Sequence, residues 1–147
     1  MQSYTRGPKG TVVRKTIGEA YLETANRFAD RVALISVHQN IRLTWAEYAY
    51  EAHRVAAGLR ALGLHPGDRV GVWATNCAEW PILQFGCALA GVVLVNVNPA
   101  NRSHELSFVL RKSRMRALFL HAQDRHSNYR SILEESCAGQ ILALEHV

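Results

Sequence analysis

The sequence predicts an α/β protein, with a mostly parallel sheet carrying helices on both faces, and three observations lead there. From residue 69 onward, stretches with strand and helix patterns alternate: Arg69–Trp73, 78–90, 92–97, 103–112, Ala117–Leu120, 127–136 and 141–144. Such alternation joins parallel strands by right-handed crossovers and builds a doubly wound sheet. The run over 92–97 is apolar without a two-residue period, as a strand covered on both sides requires. The helix pattern over 78–90, with Trp80, Ile82, Leu83, Phe85, Cys87 and Leu89, is apolar on nearly every side, which calls for neighbours on more than one face.

The elements before this region follow from their boundary signals. Thr16-Ile17-Gly18-Glu19 and Thr44-Trp45-Ala46-Glu47 are capping boxes, in which a threonine hydroxyl accepts from the first helical turn and a glutamate reaches back. The first predicts a helix to about Ala29. The second opens the clearest helix of the chain, with Tyr48, Ala52, Val55, Leu59 and Leu62 on one stripe and Gly63 as a left-handed stop. Between them, 32–37 reads as a strand that turns at Gln39-Asn40 into a short partner at 41–43. Pro66-Gly67-Asp68 is a turn, Thr75-Asn76 are expected to cap the helix over 78–90, and Ser103 is expected to cap the next.

At 147 residues, with 48% hydrophobic and 20% charged residues and four prolines, the chain has the composition of one globular domain. Arg, Asn or Glu interrupts every apolar run short of the roughly 18 residues of a membrane-spanning helix. Cys77, Cys87 and Cys137 are odd in number and lack CxxC spacing, which points to a reducing, cytoplasmic setting. Residues 1–15 read as a flexible basic arm, with Arg6, Lys9, Arg14 and Lys15 and no acid. The arm has no apolar core of a secretory signal; a mitochondrial transit segment is the alternative, although Gly7-Pro8 and Gly10 make a poor amphipathic helix. A second basic stretch, 102–116, holds five bases and Glu105. No aromatic residue stands between the bases of the first patch and only Phe108 between those of the second, so both read as solvated faces and no nucleic-acid partner is expected.

A search for catalytic patterns returns none. The ten glycines never stand two apart, so GxGxxG is missing. Gly86 and Gly91 have Walker spacing, but Val92 and Val93 occupy the Lys and Ser/Thr positions, leaving them as packing and capping glycines. The histidines at 38, 53, 65, 104, 121, 126 and 146 form no HExxH and no ligand cluster with cysteine. Glu134 and Glu135 are adjacent on a helix and diverge. Gly7-Pro8-Lys9-Gly10 matches the tail of a phosphate loop, but Ser3-Tyr4-Thr5-Arg6 precedes it instead of a Ser/Thr/Gly-rich run. No catalytic residue and no metal ligand is therefore assigned.

An ordered series of strings does carry a resemblance. Leu43-Thr44-Trp45-Ala46-Glu47, Ala56-Ala57-Gly58-Leu59, the run from Leu64 through Val72, Asn76 with Glu79-Trp80, Gly86 to Gly91, and Val97-Asn98-Pro99 follow one another at consistent spacing. In order and spacing they resemble the N-terminal part of AMP-forming acyl-CoA synthetases of the adenylate-forming superfamily, especially the fatty acid ligases. The likeness covers about residues 16–146, and it makes 16–147 an incomplete N-terminal portion of an AMP-binding domain.

The resemblance implies a ligase of fatty acid and lipid metabolism that uses ATP and Mg²⁺ to turn a fatty acid or other carboxylic acid into an acyl-adenylate. The acyl group then passes to CoA. The phosphate loop, the later aromatic-Thr-Glu motif, the ribose aspartate, the hinge and the catalytic lysine of the family resemble nothing in this chain. It is therefore expected to be inactive alone and to bind none of the cofactors tightly. One residue carries over: in some relatives a basic side chain just after the Asn-Pro element meets the nucleotide phosphates of CoA, and here that position falls at Arg102. Self-association through exposed apolar surface is expected, and a non-enzymatic interaction domain of the same fold is the rival reading.

Overall fold

Both Thr-x-x-Glu boxes form and set where the first two helices start. The computed structural model describes residues 7, 10, 13–124, 127–139 and 142–147, so most of the basic arm, with Pro8 and Lys9, lies outside the described residues. Helix α1 (Ile17–Arg27) begins where Thr16 Oγ1 accepts from the Glu19 N–H at 3.1 Å and the Thr16 N–H donates to Glu19 at 2.7 Å. Helix α2 (Trp45–Ala61) repeats the arrangement with Thr44 and Glu47, at 3.3 and 2.8 Å. The cap backbone N–H in each box holds its glutamate below the usual carboxylate range. Gly63, at φ +76°, ends α2 in the left-handed region that a β-carbon disfavours.

Between these helices, β1 (Val32–Ser36) and β2 (Ile41–Thr44) pair antiparallel. A 3₁₀ turn over Val37–Gln39 and left-handed Asn40 connect them. The first strand stops one residue early because Val37 enters that turn, where it is exposed.

The remaining elements are β3 (Arg69–Trp73), α3 (Glu79–Ala90), β4 (Val93–Val97), α4 (Ser103–Ser113), β5 (Ala117–Leu120) and α5 (Tyr129–Cys137). The three strands form a parallel sheet of order β4-β3-β5, with Trp73 in register with both Val97 and Leu120. The chain steps outward from β3 to β4, then returns past β3 to β5. Right-handed crossovers in opposite directions put their helices on opposite faces. On one face Val70 and Val72 pack against Leu59 of α2 and Leu83 and Cys87 of α3. On the other, Trp73 packs with Leu106 and Leu110 of α4 and Tyr129 and Leu133 of α5. Gly71 has no room for a side chain on this second face: a β-carbon there would overlap the Met115 sulfur and stand 2.7 Å from Leu118 Cδ1.

The outer side of α3 finds most of its cover within the chain. Phe85 stacks on Tyr21 at 4.1 Å, and Tyr48 meets both rings edge-on at 5.4 and 5.6 Å. Gly86 faces α2 so closely that a β-carbon would come within 2.6 Å of Val55 Cβ. Gly91, at φ +74°, is the left-handed cap. The Walker-spaced pair is thus a packing glycine and a capping glycine.

Four local expectations are corrected. Thr75 and Asn76 do not cap α3. Its N-cap is Ala78, already helical at φ −64°, whose N–H donates to Gln39 Oε1 at 2.7 Å. Gln39 is held in the hairpin turn by the Ser36 hydroxyl at 2.7 Å and donates to Glu79 at 2.8 Å, so the cap arrives from a distant segment. Ser103 is the first residue of α4 and not its cap. Arg102 stands at the N-cap with extended backbone, and its N–H donates to Glu105 at 3.1 Å. Ser103 instead accepts from the Ser136 hydroxyl at 3.1 Å, joining α4 to α5. Leu62 leaves the buried stripe of α2 at 40% exposure, because the helix ends at Ala61, and Ala56 takes an inward place.

The fourth correction concerns the last strand. Residues 142–144 are not strand, and Ile141 lies outside the described residues. The chain meets β5 later, where the Glu145 and His146 N–H groups donate to Arg116 O at 2.8 and 3.1 Å and Leu118 donates to His146 O at 3.0 Å. Arg116 fixes this position. Its guanidinium grips Glu145 through two bonds of 2.8 and 2.5 Å, Asp68 at 2.6 Å and the Gly63 carbonyl at 3.1 Å.

The Arg116 clamp gives stability a pH signature. Asp68 is held below the usual aspartate range by the His65 N–H and then by Arg116, and Glu145 is held down by Arg116. Depressed carboxylates contribute stability that is fully present above their unfolded values, roughly 3.9 and 4.3, and is lost as pH falls through the folded ones. The difference in melting temperature between the parent and Arg116→Gln is expected to be constant above about pH 5 and to shrink as pH is lowered below about 4. A difference that stays constant down to pH 3 removes the clamp as its source.

Candidate functional site

Register puts the ends of the three parallel strands level at Trp73, Val97 and Leu120. Beyond them lie three loops: 74–78 after β3, 98–102 after β4 and 121–128 after β5. The helix after β3 covers one face and the helices after β4 and β5 cover the other. That divergence at the carboxyl edge is the place where doubly wound sheets receive ligands.

Trp73 organises the edge. It is fully buried, donates its indole N–H to the Asn98 carbonyl at 3.0 Å, and meets the Tyr129 ring edge-on at 4.7 Å and 87°. One side chain thus ties the loop after β4 to the start of α5. The Tyr129 hydroxyl donates to Asp124 Oδ2 at 2.7 Å. Its pKa is pushed up to about 12, first by burial, then by the hydrogen bond and charge of Asp124, with the positive charge of Arg102 acting the other way.

Arg102 is exposed at the end of the loop after β4. Nη1 donates to Ser127 Oγ at 2.6 Å, so the guanidinium reaches the loop after β5. Glu105, one turn on, is held below the carboxylate range by backbone N–H groups, its own and that of Arg102, with His104 and Arg102 adding positive charge. The arrangement presents a cation beside the positive end of a helix, which suits a phosphate.

On the α3 side of the edge an apolar cleft of about 500 Å³ opens between Trp80, Ile82, Phe119 and Leu120. Cys77, Glu79 and His121 are on its rim, so His121 is half-buried rather than a plain surface residue. Thr75 Oγ1 stands 3.4 Å from His121 Nδ1. Burial pushes the Cys77 thiol up, and Glu79 is held ionised chiefly by Gln39. Cys87 is pushed up to about 12 by burial alone, and Cys137 is raised by the same cause. These thiols stay protonated near neutral pH, the opposite of what a nucleophile needs. Among the described residues no three His, Cys, Asp or Glu side chains come together to hold a metal.

The site predicted from sequence was Arg102 alone. The structure adds Ser127, Asp124 and Tyr129 around it. Asp124 and Asn128 carry a loop-and-cap signal, since Asn128 caps α5 by accepting from the Ser131 N–H at 3.1 Å. Nothing local connects Ser127 with a residue 25 positions earlier.

The same layer recurs in known proteins. Residues 21–146 match the AMP-binding enzyme family, and the chain belongs to that family. It is 41% identical over 136 residues to a mitochondrial medium-chain acyl-CoA ligase of Rattus norvegicus, covering 92% of this chain and 22% of that protein. A putative acyl-CoA synthetase of Bacillus subtilis is 35% identical over 137 residues, covering 88% of the chain and 25% of the relative. The fold superposes on the N-terminal domain of a Mycobacterium tuberculosis protein, FACL13, with a TM-score of 0.81 and 26% identity, over 90% of this chain and 32% of that one. The chain therefore spans about a fifth to a third of the proteins it matches. Among the described residues no helix is long and apolar enough to cross a membrane.

Proposed function

We propose that the chain is a part of an AMP-forming acyl-CoA synthetase that activates a fatty acid with ATP and passes the acyl group to CoA. The observation that carries this reading is the ordered series from Leu43 to Pro99, folded as the contiguous layer β2-α2-β3-α3-β4, in a chain 41% identical to a medium-chain acyl-CoA ligase. Within the intact enzyme these residues supply the first sheet-and-helix layer. The remainder of the enzyme supplies the triphosphate and Mg²⁺ sites. The three free cysteines fit an enzyme of a reducing compartment.

The part we assign to this chain's own residues is one contact with CoA. Arg102 meets a nucleotide phosphate of CoA, where its planar guanidinium offers paired donors and the start of α4 adds a favourable field. It orients the cofactor and takes no part in bond making.

ATP–pyrophosphate exchange with a panel of fatty acids tests the division of labour. The full-length enzyme is expected to exchange, and residues 1–147 alone are expected to give no signal above blank. ATP-dependent exchange by the pure chain overturns the reading of this layer as non-catalytic, and no exchange by the full-length enzyme with any carboxylic acid overturns the synthetase reading.

A further inference from the structure

We infer that Ser127 is a positioning residue for Arg102, holding its guanidinium at the carboxyl edge of the sheet ready for the CoA phosphate. The inference rests on the reading of Arg102 given above.

An exposed arginine samples many rotamers, and each must be given up when it binds an anion. A partner that already selects one rotamer reduces that loss. Ser127 Oγ lies 2.6 Å from Arg102 Nη1 and joins the segment after β4 to the segment after β5.

The hydroxyl is itself held in place. The Ser127 N–H donates to Asp124 Oδ1 at 2.8 Å, and the Asp124 N–H donates back to the Ser127 carbonyl at 2.9 Å. These reciprocal bonds tie Ser127 to Asp124. An antiparallel bridge between Gln123 and Asn128 joins the chain again one residue further out. Asp124 also accepts from the Tyr129 hydroxyl, and Tyr129 packs on Trp73. Trp73 in turn holds Asn98, four residues before Arg102. The two ends of the Arg102–Ser127 bond are therefore fixed to the same buried ring, one through each loop. An exposed bond whose two residues are both linked to one buried ring carries more order than a chance surface contact.

The serine acts only as acceptor toward Arg102, since a guanidinium has no acceptor to offer. Threonine at this position keeps the oxygen, and alanine removes it.

A double-mutant cycle in the full-length enzyme tests the inference, reading KM for CoA, kcat at saturating CoA and ATP–pyrophosphate exchange. Ser127→Ala is expected to raise KM for CoA about three- to tenfold, as loss of one ordinary hydrogen bond would. The effect falls on KM and not on kcat or exchange, and exchange also reports that the variant is folded. Ser127→Thr is expected to restore most of the parent KM. In an Arg102→Ala background, Ser127→Ala is expected to add nothing.

The failures separate. If Arg102→Ala raises KM for CoA and Ser127→Ala does not, Ser127 does not position it and the inference is overturned while the reading of Arg102 stands. If Ser127→Ala raises KM equally with and without Arg102, or lowers exchange as well, its role is structural and the inference is overturned. If Arg102→Ala leaves KM for CoA unchanged, the reading of Arg102 fails and the inference falls with it.

Discussion

Replacing Arg102 by alanine in the full-length enzyme is expected to raise the apparent KM for CoA about ten- to a hundredfold. On the proposed reading, the substitution removes a charge-assisted contact to phosphate, which is worth about 1.5–3 kcal/mol, at 1.4 kcal/mol per factor of ten. Adenylation precedes CoA, so ATP–pyrophosphate exchange reports separately whether the first half-reaction has been touched. The guanidinium also bonds Ser127, so some of the loss reflects a loosened loop. A CoA analogue without the nucleotide phosphates distinguishes the two contributions, because it should show a much smaller difference between parent and variant. Equal dependence on CoA in both forms returns Arg102 to an ordinary solvated surface residue.

Trp73→Ala is expected to destabilise the chain by about 3–5 kcal/mol, the cost of emptying a large buried aromatic site. That is a large part of the roughly 5–15 kcal/mol available to a domain. Two further losses act in the same direction. The Asn98 carbonyl loses its indole donor, and the Tyr129 ring loses the edge-on contact at 4.7 Å. Trp73→Phe keeps an aromatic ring without the N–H and is expected to lose less. Thermal melting should show the alanine variant lower by on the order of 10 °C. A loss under about 1 kcal/mol would mean that the site collapses without cost and that Trp73 does not organise the edge. The damage should also reach both loops that carry the Arg102–Ser127 pair.

The sequence was most legible where a signal acts over one turn. Thr16-x-x-Glu19 and Thr44-x-x-Glu47 place both helix starts, and Gly63 and Gly91 place two helix ends. The strand–helix alternation implies a parallel sheet with helices on both faces, and that sheet is present. The unalternating run into Val97 implies a strand covered on both sides, but β4 is the sheet's edge, with Val93 and Asn96 exposed. The family was legible as well, because its strings occur in order along the chain and survive into the AMP-binding match over 21–146.

What failed was decided by residues that meet only in the folded chain. The cap of α3 is supplied by Gln39 from the hairpin turn, so Thr75 and Asn76 looked suitable and were not used. The last strand was expected at 141–144 from its apolar residues. Arg116 bonds Glu145 and sets the contact with β5 at 145–146, while Leu142 and Leu144 pack against the buried layer around Trp73 and Leu110.

The site follows the same division. Arg102 was singled out by the resemblance, as the basic side chain that follows the Asn-Pro element. Ser127, Asp124 and Tyr129 were missed because their relation to Arg102 exists only once β4 and β5 lie on either side of β3. By itself the sequence determined most of the elements, the fold class and the family, since hydrophobic period, caps and ordered strings are properties of neighbours along the chain. The strand order, the cap from Gln39, the Arg116 clamp and the setting of Arg102 were decided by tertiary structure, since each depends on a distance between residues that the chain alone does not bring together.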